Sequence, residues 1–96
     1  MFARVSTYKT GPDNTTNAPS EEIVNRVLAM PGCRGMYFLN SDEAGMGLSI
    51  TLWDTQDSIA ASREAANVVR ADASTAQGLQ IVSVEEFEVT TDVLQD

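Results

Sequence analysis

The chain has 96 residues, with 14 acidic and 6 basic side chains, no histidine and a formal net charge of -8. That balance repels phosphate backbones, whose binding rests on cationic contacts and counterion release, so no nucleic-acid partner is expected. Without histidine no Ser-His-Asp or Cys-His constellation can form, and the single Cys33 offers neither a disulfide framework nor a zinc cluster.

The first element is a strand, Phe2 to Tyr8, in which Ala3, Val5 and Thr7 alternate with Phe2, Arg4, Ser6 and Tyr8. The breaker-rich run TGPDNTTNAPS follows as a loop and ends at Pro19 and Ser20, which suit a helix start. Glu21 and Glu22 then fall where a helix N-terminus favours negative charge, and Ile23, Val24, Val27 and Leu28 recur at helical spacing before Met30, Pro31 and Gly32 end the run. Arg34 to Asn40 and Met46 to Trp53 read as two strands of a hairpin joined through SDEAG. Asp54 or Thr55 caps a second, alanine-rich helix from Gln56 to Gln77, long enough that a break is predicted near Arg70 to Ala73, and Gly78 closes it. A last strand runs from Gln80 to about Thr90.

The order strand, helix, strand, strand, helix, strand is that of an α+β, ferredoxin-like βαββαβ fold, one four-stranded antiparallel sheet with both helices on one face. A single domain is expected over residues 1–90, with a polar tail at 91–96. A domain of this size leaves apolar surface open to water unless a partner chain covers it, which favours a homodimer. No basic segment leads into an apolar run and no stretch approaches membrane-spanning length, so a cytoplasmic domain without a membrane partner is expected.

The stretch RGMYFLN partly matches the base-stacking strand of RNA-recognition domains through Arg34, Gly35 and Phe38. It follows the first helix, whereas that signature belongs on the third strand, and Met36 stands at its first aromatic position. It reads instead as a sheet strand.

The third strand alternates most cleanly, with Leu48, Ile50 and Leu52 on one side and Ser49, Thr51 and Trp53 on the other. An unpaired charge beneath a helix costs several kcal/mol, roughly, so Arg4 is taken to mark the uncovered face, and Ala3, Val5, Leu48, Ile50 and Leu52 the covered one. The uncovered face then carries Arg4, Ser6, Tyr8, Ser49, Thr51 and Trp53, joined by Arg34, Met36 and Phe38. Aromatic rings among hydroxyls and guanidinium groups make a surface suited to a small, partly aromatic ligand, and the candidate ligand-binding residues are Arg4, Tyr8, Arg34, Ser49, Thr51 and Trp53.

Four segments, MFARVSTY, MPGCRGMYFLN, LSITLWDTQDSIAAS and VEEFEV, together resemble the dimeric α+β barrel family that includes antibiotic-biosynthesis-monooxygenase-like domains. The resemblance implies a homodimer with facing sheets, a ligand between them and, if the chain is an enzyme, a cofactor-independent monooxygenase whose phenolic substrate itself reacts with oxygen. The alternative is a non-catalytic structural or interaction module with no usable cavity. Haem-degrading relatives use an axial histidine, which this chain lacks, and the asparagine they carry on the first strand has no counterpart in FARVSTY. No cofactor or metal is expected.

The remaining candidates have plain readings beside their chemical ones. Trp53 can flank a flat ligand or anchor packing. Arg4 can hold an anion or pair with Glu85 or Glu88 across strands. Glu85, Glu86 and Glu88 read as a solvated edge, and Cys33 as a small core residue. Arg63, Asn67 and Arg70 share one helix face, either solvated or able to hold a small anion.

Overall fold

The computed structural model describes residues 1–10, 19–41 and 43–95, so most of the predicted TGPDNTTNAPS loop lies outside the described residues. The elements are β1 (Phe2–Thr10), α1 (Glu21–Leu28), β2 (Cys33–Ser41), β3 (Met46–Trp53), α2 (Gln56–Ala61), α3 (Arg63–Gln77) and β4 (Leu79–Glu88). The strands form one antiparallel sheet in the order β2-β3-β1-β4, the split arrangement expected from the element order. Among the described residues, no helix is long and apolar enough to cross a membrane.

Local chemistry sets the boundaries. Ser20 caps α1 by accepting a hydrogen bond from the Ile23 backbone N–H, and Glu21 and Glu22 occupy the first turn. At the other end, Gly32 adopts φ +83°, and a Cβ there would come within 2.4 Å of the Ser58 Cβ. Only glycine suits that left-handed, crowded corner, where the Asp54 N–H also donates to the Gly32 carbonyl at 2.9 Å. Thr55 and Ser58 form a reciprocal capping box at the start of α2, and Gly78 ends α3 in the left-handed conformation.

The predicted helix break occurs at a different place. Instead of falling near Arg70 to Ala73, it falls at Ser62, which closes α2 and opens α3. Ser62 places no side-chain cap on α3; its hydroxyl instead donates to the Ile59 carbonyl at 2.8 Å. No proline or glycine marks this break.

The two sheet faces are assigned the opposite way from the sequence expectation. Arg4, Ser6, Tyr8, Ser49, Thr51 and Trp53 are buried, on the side that carries the helices. Val5, Thr7, Leu48, Ile50 and Leu52 are only half-buried and lie on the open side. Tyr37, Leu39 and Phe87, which share that face by register, remain 48%, 47% and 50% exposed. Ala3 is buried although it lies on the open face, because it is small and flanked in register by Leu52 and Phe87.

The reason lies in the partners of Arg4, described below: a guanidinium whose hydrogen bonds are supplied can sit beneath helices. The core on the helix side is built from Ile23, Val27, Val69 and Ala73, with Met30, Cys33 and Met36 packed against it. Cys33 thus takes the packing role expected of it.

Candidate functional site

Arg4 stands at the centre of the covered face, opposite Thr51 on β3 and Glu86 on β4. It is 2% exposed. Its Nη2 donates to the Ile59 carbonyl at 2.8 Å, to the Ser62 hydroxyl at 3.1 Å and to Glu86 Oε2 at 3.0 Å, while Nε reaches the same carboxylate oxygen at 3.2 Å. The helix break therefore builds the site: ending α2 leaves carbonyls without intrahelical donors, and Arg4 supplies one. The guanidinium carbon also lies 5.4 Å from the centre of the Trp53 ring, within cation–π range. Nη1 is buried without a hydrogen-bond partner among the described residues.

Glu86, rather than the predicted Glu85 or Glu88, pairs with Arg4. Glu85 lies opposite Val5 on the open face and Glu88 opposite Phe2 at the strand end, so only position 86 shares both the face and the level of Arg4. Arg63 approaches Glu86 from α3, donating at 2.6 Å to Oε1 and 3.1 Å to Oε2. Hydrogen bonding from Arg63, with a further contribution from Arg4, holds the Glu86 carboxyl below its ordinary value of 4.5 despite partial burial.

A depressed carboxyl pKa stabilises the fold fully above the unfolded value, and that contribution is lost as pH falls below about 4.5 toward the folded value. Urea unfolding followed at pH 7 and at stepped values below 4.5 should show this loss in the parent chain. In Glu86→Gln the slope in that window flattens and stability at pH 7 is lower. An unchanged acid slope would remove Glu86 from the account.

Between the covered face and helices α1 and α3 lies a chamber of about 40 Å³. Its walls include Arg4, Tyr8, Met36, Ser49, Thr51 and Trp53 from the sheet, and Val27, Ala66, Val69 and Arg70 from the helices. The polar groups are held in place: the Trp53 indole N–H donates to the Thr51 hydroxyl at 2.9 Å, and the Tyr8 and Ser49 hydroxyls lie 3.4 Å apart. Tyr8 stacks on Phe38 with ring centres 6.3 Å apart.

Five of the six predicted ligand-binding residues thus line one space, on the inner side of a single chain rather than between two facing sheets. Arg34 does not join them. It occupies the irregularity where Cys33 pairs with Trp53 and Gly35 with Leu52, and its side chain is exposed.

A second, more open groove of about 330 Å³ runs between α3 and β4 and is lined by Arg4, Arg63, Asn67, Arg70, Ile81, Val84 and Glu86. Sequence reading singled out Arg63, Asn67 and Arg70 as one helix face but could not join them to Arg4. Helical spacing carried that part of the signal, whereas the level of β4 came from pairing alone. Among the described residues, no group of three or more His, Cys, Asp and Glu side chains converges as a metal site.

No family model matches the chain, and no curated protein matches it. Solved structures do share its fold. A candidate antibiotic biosynthesis monooxygenase from Deinococcus radiodurans superposes with a TM-score of 0.68 at 14% identity, covering 100% of this chain and 99% of that one. A second such candidate, from Chloroflexus aurantiacus, gives 0.57 at 14% identity over 96% and 95% of the two chains. A structural-genomics protein, YJCS, gives 0.52 at 8% identity over 93% and 98%. This chain therefore has the ferredoxin-like α+β fold of those proteins.

Proposed function

We propose that this chain forms a homodimer through the open faces of its sheets, and that each protomer binds a small, partly aromatic molecule between its own sheet and helices. The observation that carries the reading is the chamber itself, where Trp53 and Tyr8 stand among the hydroxyls of Ser49 and Thr51 and the guanidinium of Arg4. Apolar and aromatic walls with a few fixed polar groups are what an aromatic ligand with an oxygen substituent needs.

The chemistry proposed for this site is oxygenation of a bound phenol without a protein cofactor. The phenol supplies the electrons that reduce oxygen, one oxygen atom enters the ring to give a quinone, and the other leaves as water. The likeness to candidate antibiotic biosynthesis monooxygenases supports this choice of activity.

At about 40 Å³ the chamber holds about two or three waters, well short of the roughly 300 Å³ at which small-molecule pockets begin. A ligand the size of naphthol must therefore displace α1 and α3 from the sheet. The same small volume favours a second reading, a non-catalytic dimeric module whose chamber holds only water.

Calorimetric titration with 1-naphthol separates the two. Saturable binding is expected, weakened at least tenfold by Ala66→Val, which adds two methyl groups to the chamber wall without touching its polar atoms. An oxygen electrode then reads uptake in the bound complex. Absence of naphthol binding in the folded parent would leave the water-filled module as the function; binding without oxygen uptake would remove the oxygenase activity and keep the ligand site.

A further inference from the structure

On a chain of net charge -8, three of the six cationic side chains, Arg4, Arg63 and Arg70, converge on the groove between α3 and β4. Among the described residues Glu86 is the one carboxylate lining it, and its two oxygens are engaged by Arg4 and Arg63. Arg70 donates to the Asn67 side-chain carbonyl and has no carboxylate partner among the described residues. The groove is thus locally cationic on an anionic protein.

Two further observations indicate that it is short of negative charge. Arg4 Nη1 is buried with no hydrogen-bond partner among the described residues, although a buried guanidinium donor normally finds one. Burial, and then repulsion from Arg4, also push the Arg70 guanidinium down from its ordinary value. An oxyanion within reach of both side chains would relieve each.

We propose that the groove is an oxyanion-binding site, in which Arg4 and Arg70, supported by Arg63 and Asn67, hold the carboxylate of a small aromatic acid. Arg4 and Arg70 line both the groove and the aromatic chamber, so one ligand can place its charged group in the first and its ring in the second. The oxyanion site stands on the groove alone, whereas the identity of the ligand as an aromatic acid rests on the function proposed above. Planar guanidinium groups suit carboxylate and phosphate geometry alike.

Trp53 is the only tryptophan and lies against Arg4, so its fluorescence reports on the site. Titrations of inorganic phosphate, 1-naphthoate and 1-naphthol at constant ionic strength, balanced with chloride and read by fluorescence and calorimetry, test the proposal. Saturable phosphate binding in the millimolar range is expected, with naphthoate at least tenfold tighter than phosphate or naphthol.

Arg70→Gln should abolish phosphate binding and reduce naphthoate to the level of naphthol. Arg63→Gln, at an exposed position, should weaken phosphate several-fold without risk to the core. Lys9→Gln, which removes the same charge outside the groove, should leave both unchanged. Phosphate and naphthoate responses no greater than that of chloride would overturn the site, as would Arg70→Gln binding like the parent or Lys9→Gln weakening phosphate equally. Phosphate binding that depends on Arg70, with no binding of naphthol or gain for naphthoate, would keep the oxyanion site and overturn the aromatic ligand.

Discussion

Replacing Arg4 by alanine is expected to destabilise the fold by about 3 kcal/mol, toward the lower end of the range for breaking a buried ion pair. The substitution deprives the Ile59 carbonyl and the Ser62 hydroxyl of a donor and leaves a space beneath the α2–α3 break. It also removes a cation from the face of Trp53. The loss does not reach the top of the range because Glu86 keeps Arg63 and its side chain is 25% exposed.

For a domain of this length the change corresponds to a fall in Tm of roughly 12–24 °C. Arg4→Lys recovers little, since one ammonium cannot reach a carbonyl, a hydroxyl and a carboxylate while lying flat on an indole. Urea unfolding at fixed protein concentration measures the effect. A loss below about 1 kcal/mol would show that the guanidinium is not what holds the helix break against the sheet.

A single charge on the open face is expected to have the largest effect on assembly. Ile50 sits between Val5 and Tyr37 in register, with Leu48 and Leu52 on the same side of its own strand. Four strands about 4.8 Å apart and about eight residues long make a face on the order of 500 Å². An apolar patch approaching that size is among the largest on a typical monomer and is often functional. With its rims included, such a face approaches the roughly 800 Å² per partner of a specific interface.

In a two-fold dimer each substitution counts twice. Ile50→Lys therefore introduces two ammonium groups, each costing several kcal/mol, roughly, when desolvated without a partner. The dimer is expected to weaken at least about a thousandfold, taking 1.4 kcal/mol per tenfold. Light scattering at micromolar concentration should find a dimer for the parent chain and a monomer for the variant. A monomeric parent, or a variant that remains dimeric, would rule this interface out.

The two results are linked through the sheet. Its outer face carries Val5, Leu48, Ile50 and Leu52, while its inner face carries the hydroxyls, the arginine and the tryptophan. A charge at position 50 and an alanine at position 4 therefore strike opposite sides of the same two central strands. The first tests the assembly and the second the candidate site.

The order and type of the elements were legible in the chain's local patterning alone. Period-two alternation in β1 and β3, the Ser20 and Thr55 caps, the MPG stop and the Gly78 stop are local signals, and each acts through a few neighbouring residues. The same alternation also grouped Arg4, Tyr8, Ser49, Thr51 and Trp53 on one side of the sheet, where the structure finds them together. Arg34 fell out of the group because a one-residue irregularity at the start of β2 changes which side a residue faces, and alternation cannot register it.

Which side the helices cover was decided only by the tertiary structure. A strand with two distinct faces looks the same from sequence whichever face is buried by its own chain and whichever is left open. The cost of burying Arg4 argued for the open side, and that cost is reduced by groups at positions 59, 62 and 86. Those partners meet Arg4 only after a helix breaks at a serine and a strand edge pairs in one register. Sequence shows a charge and its desolvation penalty; the folded chain brings acceptors to two of its three nitrogens, which offset much of it.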